Sequence, residues 1–469
     1  MSKSRLLLLI ILIEGYVVLA SELLAIRELI PFVGSGTEIV SIVMSAVLLP
    51  LAIGYHVGGQ QRNYMRSRLL CNVLIALIIF AFGLSYVFLE FIFYGLNAVG
   101  IHHRILQTAC YSIIFLAIPV FLLGQTVPLV SNYFGQSRLS IITGKMLFFS
   151  TMGSFLGSIF STLVLMNVAG VHITVIVTLA LLVLLILILS RRLFAIENII
   201  AVTVIVWVMM FNSGNILHKF NIVSYNAYNL VAVNKLPDGG RELFINRSHS
   251  SALDANEQPI YSYIRYIEKI FIDPIQKKNT ALQKPRNILI LGAEGFTLGL
   301  HDHFNHYTFV DIAPKIYSIT EHYFLHAPLT PNKEFVAESA RAFVHYVRKK
   351  YDLIFIDTYS RLTSVPMETT TREFLLEIQH RLNRGGAVVV NQIMSPDFRD
   401  RFSVRYNNVF ASVFPVYTRQ VIGHYNPWAT GEEASKLANV LYIYYNRPDI
   451  LDRTVYTDDK NTYSLDWAR

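Results

Sequence analysis

The chain has 469 residues, 53% of them hydrophobic and only 15% charged, with a mean hydropathy of +0.43. That leaves too little polar surface to cover one water-soluble globule, so that class is excluded and two or three domains are expected. The net charge of +8 does not point to nucleic acid, because many of the Lys and Arg lie between apolar runs where positive-inside sorting accounts for them, and no nucleic-acid partner is expected.

In chain order, seven apolar runs come first, each close to the ~20 residues a helix needs to cross a bilayer. They are Leu6 to Ile26, Ile39 to Val57, Leu69 to Leu89, Thr108 to Val130, Ile141 to Leu165, Ile173 to Ser190 and Leu193 to Phe211. The first is too long for a cleavable signal and carries Glu14. Basic residues mark alternate connections (Lys3 and Arg5; Arg62, Arg66 and Arg68; Arg138; Arg191 and Arg192), which predicts a cytoplasmic N-terminus. The last run decides where the remainder lies. If it crosses, the soluble part is extracytoplasmic. If its 13-residue core, Ile199 to Phe211, lies along the interface, the soluble part is cytoplasmic. Leu193 to Ile196 extend the run, and a crossing is the reading adopted. The expectation is a multi-pass protein of the cytoplasmic membrane, with the lipid bilayer as its first partner.

Polar groups inside the runs predict specific contacts. Glu14 and Lys145 lie at similar depth and are expected to pair, and Glu22 is expected to pair with Arg27 one turn on. Gly153 and Gly157, among Ser150, Ser154, Ser158 and Ser161, form a small-residue face that lets helix backbones approach. The only cysteines, Cys71 and Cys110, fall within apolar runs, leaving no thiol nucleophile in the soluble half.

From Ile222 to Asp254 apolar and polar residues alternate around Asp238-Gly239-Gly240, which predicts a small antiparallel sheet. A helix over Tyr261 to Phe271 and a polar hinge, Gln276 to Arg286, follow. Strands are then expected at Asn287 to Leu291, Tyr307 to Ile312, Phe335 to Glu338, Asp352 to Asp357 and Ala387 to Gln392, alternating with helical stretches. That alternation implies a mostly parallel, doubly wound sheet that binds ligands at the carboxyl ends of its strands. The domains predicted are a membrane domain over residues 1–212, a small β region and hinge over 213–286, and an α/β domain over 287–469.

Three strand ends carry candidate residues. The first opens into Gly292-Ala293-Glu294-Gly295-Phe296-Thr297, and Asp311 follows Gly292 by 19 residues, close to the spacing at which an acid accepts hydrogen bonds from a ribose diol. Asp311 also reads as a strand-end cap. The fourth strand ends in Phe355-Ile356-Asp357-Thr358-Tyr359-Ser360, where Asp357 is placed to take a proton from an amine or to bind its ammonium form; a turn cap is the other reading.

The order of these pieces resembles the spermidine synthase family, specifically its membrane-fused branch. In the soluble half the matching pieces are Ser224 to Tyr228, Ser251 to Asp254, Asn287 to Leu298, Val310 to Pro314, Ser339 to Phe343, Tyr351 to Asp357, and Val365 through Thr371-Arg372-Glu373-Phe374 to Gly386. In the membrane half they are Ser21 to Leu23, Gly54 to Gly59 and Gly153 to Ser158. The resemblance implies a Rossmann-like (methyltransferase or spermidine synthase-like) fold that transfers an aminopropyl group from decarboxylated S-adenosylmethionine to a diamine or other amine. It implies that Gly292, Glu294, Gly295, Asp311 and Ser339 surround the nucleotide donor. Asp357 would bind and deprotonate the amine, with a tyrosine among Tyr261, Tyr263 and Tyr266 orienting it; Tyr263 and Tyr266 are carried as catalytic candidates.

The chain departs from the family pattern where the donor sits. Ser339 stands where the family has Asp, and Phe296 is expected to project from the turn into the same crevice. Two further readings follow from that departure and from the intramembrane acids. One is a degenerate synthase-like domain that uses no donor and serves as an extracytoplasmic binding or assembly module for an amine or a protein partner. The other is a transporter with a substrate-sensing domain. His301, His303, His306, His322 and His326 lack a third ligand at metal-binding spacing, so no metal is expected.

Overall fold

The computed structural model describes residues 3–61, 64–132, 139–190, 192–273, 284–359, 365–423, 436–447 and 457. Arg62, Arg138, Arg191, Ser360 and most of the expected hinge from Gln276 lie outside the described residues. The chain divides into two compact units, Met1–Ser250 and Ser251–Tyr359 with Val365–Arg469.

In the first unit six helices are long and apolar enough to cross a membrane: Arg5–Val33, Thr37–Gly59, Met65–Gly83, Arg104–Ser131, Ser140–Val168 and Val171–Leu189. Two shorter apolar helices, Tyr86–Ala98 and Ile196–Phe211, accompany them. The last covers the segment expected to make the seventh crossing, and its 16 residues span roughly 24 Å at the α-helical rise.

Small residues set the closest helix contact. A Cβ added to Gly153 would overlap the Leu12 carbonyl oxygen, and one on Gly157 the Tyr16 carbonyl oxygen. The predicted small-residue face therefore packs on the first helix, and the two run parallel because 153 and 157 meet 12 and 16 in order. Met146, Gly153 and Gly157 lie along that contact stripe. Lys145 is rotated about 100° from Met146 and is exposed. The expected Glu14–Lys145 ion pair consequently does not form among the described residues. Nor does Glu22 pair with Arg27, whose Nε donates to the Asn226 carbonyl at 2.7 Å while its guanidinium lies 5.1 Å from the centre of the Tyr225 ring. Arg27 turns away because the first hairpin of the extramembranous sheet offers it a carbonyl and an aromatic face.

That sheet has the order β1 (Ile222–Tyr225), β2 (Leu230–Lys235), β3 (Arg241–Ile245), β4 (Ser248–Leu253). The turn between β2 and β3 is the predicted Asp238-Gly239-Gly240, with the Gly240 amide donating to Asp238 at 3.0 Å. The hairpin sits at the end of the bundle where the first helix finishes. There the Tyr225 hydroxyl donates to Glu28, and Arg247 pairs with Glu90 at 2.6 Å and lies over Phe32. Asn212, just past Phe211, donates to Ser85 at 2.8 Å, whereas Arg66, at the start of its helix, donates to the Ser190 carbonyl at 2.7 Å. The helix Val171–Leu189 thus runs away from the sheet, and Ile196–Phe211 brings the chain back to it.

The second unit is built on a seven-stranded sheet. Its strands are β5 (Asn287–Leu291), β6 (His306–Asp311), β7 (Lys333–Ala337), β8 (Tyr351–Ile356), β9 (Leu382–Met394), β10 (Thr418–Ile422) and β11 (Ala438–Tyr445), in the order β10-β11-β9-β8-β5-β6-β7. The strands β7, β6, β5, β8 and β9 are parallel, while β11 runs antiparallel between β9 and β10. Near-continuous apolar runs such as Ile288 to Leu291 and Leu353 to Ile356 are what a sheet covered on both faces requires. The fold is the expected Rossmann-like α/β domain. Strand order reverses between β5 and β8, the kind of switch point at whose carboxyl ends open α/β sheets bind ligands.

Candidate active site

Four adjacent strand ends bring most of the candidate residues together. The Gly292 amide donates to the Val310 carbonyl at 2.9 Å, and the Asp357 amide donates to the Leu291 carbonyl at 2.9 Å, so β5, β6 and β8 finish side by side. Gly292 has φ +94, and a Cβ there would overlap the Asp357 carbonyl oxygen. Only glycine satisfies both conditions. The turn then passes through Glu294 at φ +46 and Phe296 at φ +56, which swings successive side chains to opposite sides.

Phe296 goes to the core, not to the crevice. It is 0% exposed, and its ring meets Phe309, Tyr317 and Phe335 with centroids 5.0, 6.0 and 5.7 Å away. The expectation that it projects into the crevice is corrected: left-handed backbone at this position turns the ring beneath the loop, where three aromatics receive it. Gly295 is held by Ser251, whose hydroxyl accepts from the Gly295 amide at 3.1 Å. A side chain at Gly295 would strike Ser251 and Phe324.

Glu294 and Asp357 form a carboxylate pair. The Tyr263 hydroxyl donates to Glu294 Oε2 at 3.3 Å and lies within electrostatic reach of Asp357. Asp357 is 2% exposed; its Oδ1 accepts from Asn391 at 3.1 Å, and its Oδ2 is without a hydrogen-bond partner in the protein. Asn391 Oδ1 is also unpartnered. Burial pushes the Asp357 carboxyl up to about 7, partly offset by Asn391 and Tyr263. Burial and the neighbouring Asp357 charge raise Glu294 well above the usual carboxylate range. Two close acids whose charged forms lack a cation will hold a proton between them, or will accept a cationic ligand in its place.

Asp311, at the end of β6, accepts from the Ala293 amide at 3.3 Å and the Ala313 amide at 2.9 Å, while burial raises its carboxyl. It ties the glycine turn to β6, and each oxygen keeps a further lone pair for a hydroxyl donor. Ser339 follows β7 beside Asp311, whose carbonyl accepts from the Glu338 amide at 3.0 Å. The Ser339 hydroxyl accepts from Ala342 at 3.1 Å and caps the helix Ala340–Tyr346.

Of the three candidate tyrosines, Tyr263 reaches the carboxylates. Tyr261 stacks on it at 6.1 Å, and Tyr266, one turn further along the helix, lies beside Tyr445 instead. Asn391 and Tyr359 complete the site. The Tyr359 hydroxyl accepts from the Ile393 amide at 2.6 Å, which fixes the segment after Asp357 to β9. A usable signal for Asn391 was the polar pair Asn391-Gln392 interrupting the apolar run that begins at Ala387. Among the described residues, no three His, Cys, Asp or Glu converge to hold a metal ion.

The chain is 30% identical over 138 residues to a polyamine aminopropyltransferase of Vibrio vulnificus, covering 28% of this chain and 46% of the relative. It is 28% identical over 167 residues to a probable polyamine aminopropyl transferase of Bifidobacterium longum, covering 32% and 36%. The chain is spermidine synthase-like. It spans less than half the length of these curated relatives, and no protein-family model matches it. Among solved structures it is similar to a probable spermidine synthase from Corynebacterium glutamicum (19% identity, TM-score 0.38, covering 50% of this chain and 81% of the other). It is also similar to the spermidine synthase of Thermotoga maritima (12% identity, TM-score 0.36, covering 51% and 82%).

Proposed function

We propose that this spermidine synthase-like chain is a membrane-anchored aminopropyltransferase, in which the Asp357–Glu294 pair receives an amine and decarboxylated S-adenosylmethionine is the donor substrate. The observation that carries this reading is the unpartnered Oδ2 of Asp357 beside a second, half-buried acid and a tyrosine hydroxyl at the β5/β8 switch point. Two neighbouring acids with a free acceptor oxygen suit cations, and both the incoming ammonium and a sulfonium donor are cations. In the transfer, the neutral amine nitrogen attacks the methylene beside the sulfonium. A C–N bond forms, the C–S bond breaks with its electron pair left on sulfur as a thioether, and the ammonium proton passes to the Asp357 carboxylate. Tyr263 holds Glu294 and orients the amine. Asp311 receives the ribose hydroxyls, Gly292 and Gly295 let the backbone approach the nucleoside, and Ser339 lies at its adenine end.

A second reading rests on the position of the hairpin at the bundle end where the first helix finishes. With the N-terminus cytoplasmic, the α/β domain that follows the sheet is extracytoplasmic, away from the cytosolic nucleotide supply. The same acidic corner then serves as an amine-binding module without turnover.

The full chain in detergent, titrated by calorimetry with decarboxylated S-adenosylmethionine and separately with putrescine or spermidine, distinguishes the two. Binding of both, with turnover that falls about 100-fold or more in Asp357→Asn, is the expected result for the enzyme. Amine binding without donor binding supports the second reading, and binding of neither overturns both.

A further inference from the structure

The first helix carries Glu14, Ser21 and Glu28 at seven-residue intervals, hence along one stripe and roughly 10 Å apart. All three are buried at 1%, 0% and 0% exposure, and Glu14 Oε2, Ser21 Oγ and Glu28 Oε1 have no hydrogen-bond partner in the protein. Glu28 is balanced by Tyr225, which donates to it, and by the adjacent Arg27. Glu14 has no such balance. From the helix Thr37–Gly59 the titratable group facing it is Tyr55, whose hydroxyl is joined to Ser150. From Ser140–Val168 come the glycine face and Ser150, while Lys145 is exposed on another flank. On Val171–Leu189 the titratable residue is His172, in the first turn at the sheet end of the bundle, remote from Glu14.

A carboxyl turned into a helix bundle with no cation opposite it is expensive to keep as a purely structural group. Ser21 and the Glu28 cluster continue polar character from it toward the sheet end. We propose that Glu14 is a proton-exchange site of the membrane half, where a carboxyl group takes up and releases a proton inside the bundle, so that this half does more than anchor. The glycine contacts close the first helix onto Ser140–Val168 beside it.

The test uses the full chain in liposomes treated with dicyclohexylcarbodiimide, which couples to protonated carboxyl groups in apolar surroundings, with adducts located by mass spectrometry between about pH 5 and pH 9. The expected result is an adduct at Glu14 that declines at least about tenfold as pH rises, is retained in Glu14→Asp and is absent in Glu14→Gln. Absence of an adduct at Glu14 in chain that elutes as a folded species overturns the proposal. So does an adduct whose yield is flat across the range, because a carboxyl that never releases its proton is structural.

Discussion

Asp357 and Glu294 make the stability of the α/β domain depend on pH. Burial raises both carboxyl groups, so the native domain keeps protons that the unfolded chain releases from about pH 4 upward. Between the unfolded and the native values the folded state binds more protons than the unfolded state, and stability falls as pH rises through that window. Glu294→Gln preserves an acceptor for Tyr263 and removes the ionisation. It should raise the melting temperature of the α/β domain by about 3 °C at pH 8, the equivalent of roughly 1 kcal/mol, and leave it unchanged at pH 4. A gain of equal size at both pH values in scanning calorimetry would contradict this. At the same scale the sequence exposed Asp357 through its position after an apolar strand, but not Asn391 or the fate of Phe296. The first comes from a strand 34 positions away, and the second depends on a backbone angle that residue type does not announce.

The glycine contact between the first helix and Ser140–Val168 is the clearest case of an element specified by local sequence. Backbones that touch leave no volume for a side chain, so Gly157→Leu should destabilise the bundle by about 1–3 kcal/mol, as overpacking does. Its thermal transition in detergent should drop clearly, whereas Gly144→Leu, where a Cβ meets nothing within 4 Å, should leave it unchanged. Strands β5, β6, β7, β8 and β9 were readable from apolar runs at regular spacing, with boundaries displaced by a few residues: β6 is His306–Asp311 where Tyr307 to Ile312 was expected. The antiparallel pair β10 and β11 was not foreseen. Alternation of strand with helix announces parallel strands, and nothing local tells a late strand such as Ala438–Tyr445 to insert between β9 and β10.

For the whole molecule, the return of Ile196–Phe211 to the sheet end is the feature that supports a seventh crossing. A reporter fused after Arg469 should therefore be active on the side opposite the N-terminus, with alkaline phosphatase active and a cytosolic fluorescent reporter dark. The reverse pattern would place the domain with the nucleotide pool and remove the support for the binding-module reading. Composition and apolar run length by themselves determined that the chain combines a multi-helix apolar part with an α/β part, because hydrophobic period and length are local properties. Apolar strand ends, with spacing in the case of Asp311, located Gly292, Asp311 and Asp357. Tertiary structure decided the rest: that Tyr263 and not Tyr266 reaches the acids, that Phe296 is core, that Arg27 serves the hairpin and that Glu14 stands without Lys145. Each depends on the rotation of a helix or the handedness of a single turn, and such angles are set by the packing partner rather than by the segment itself.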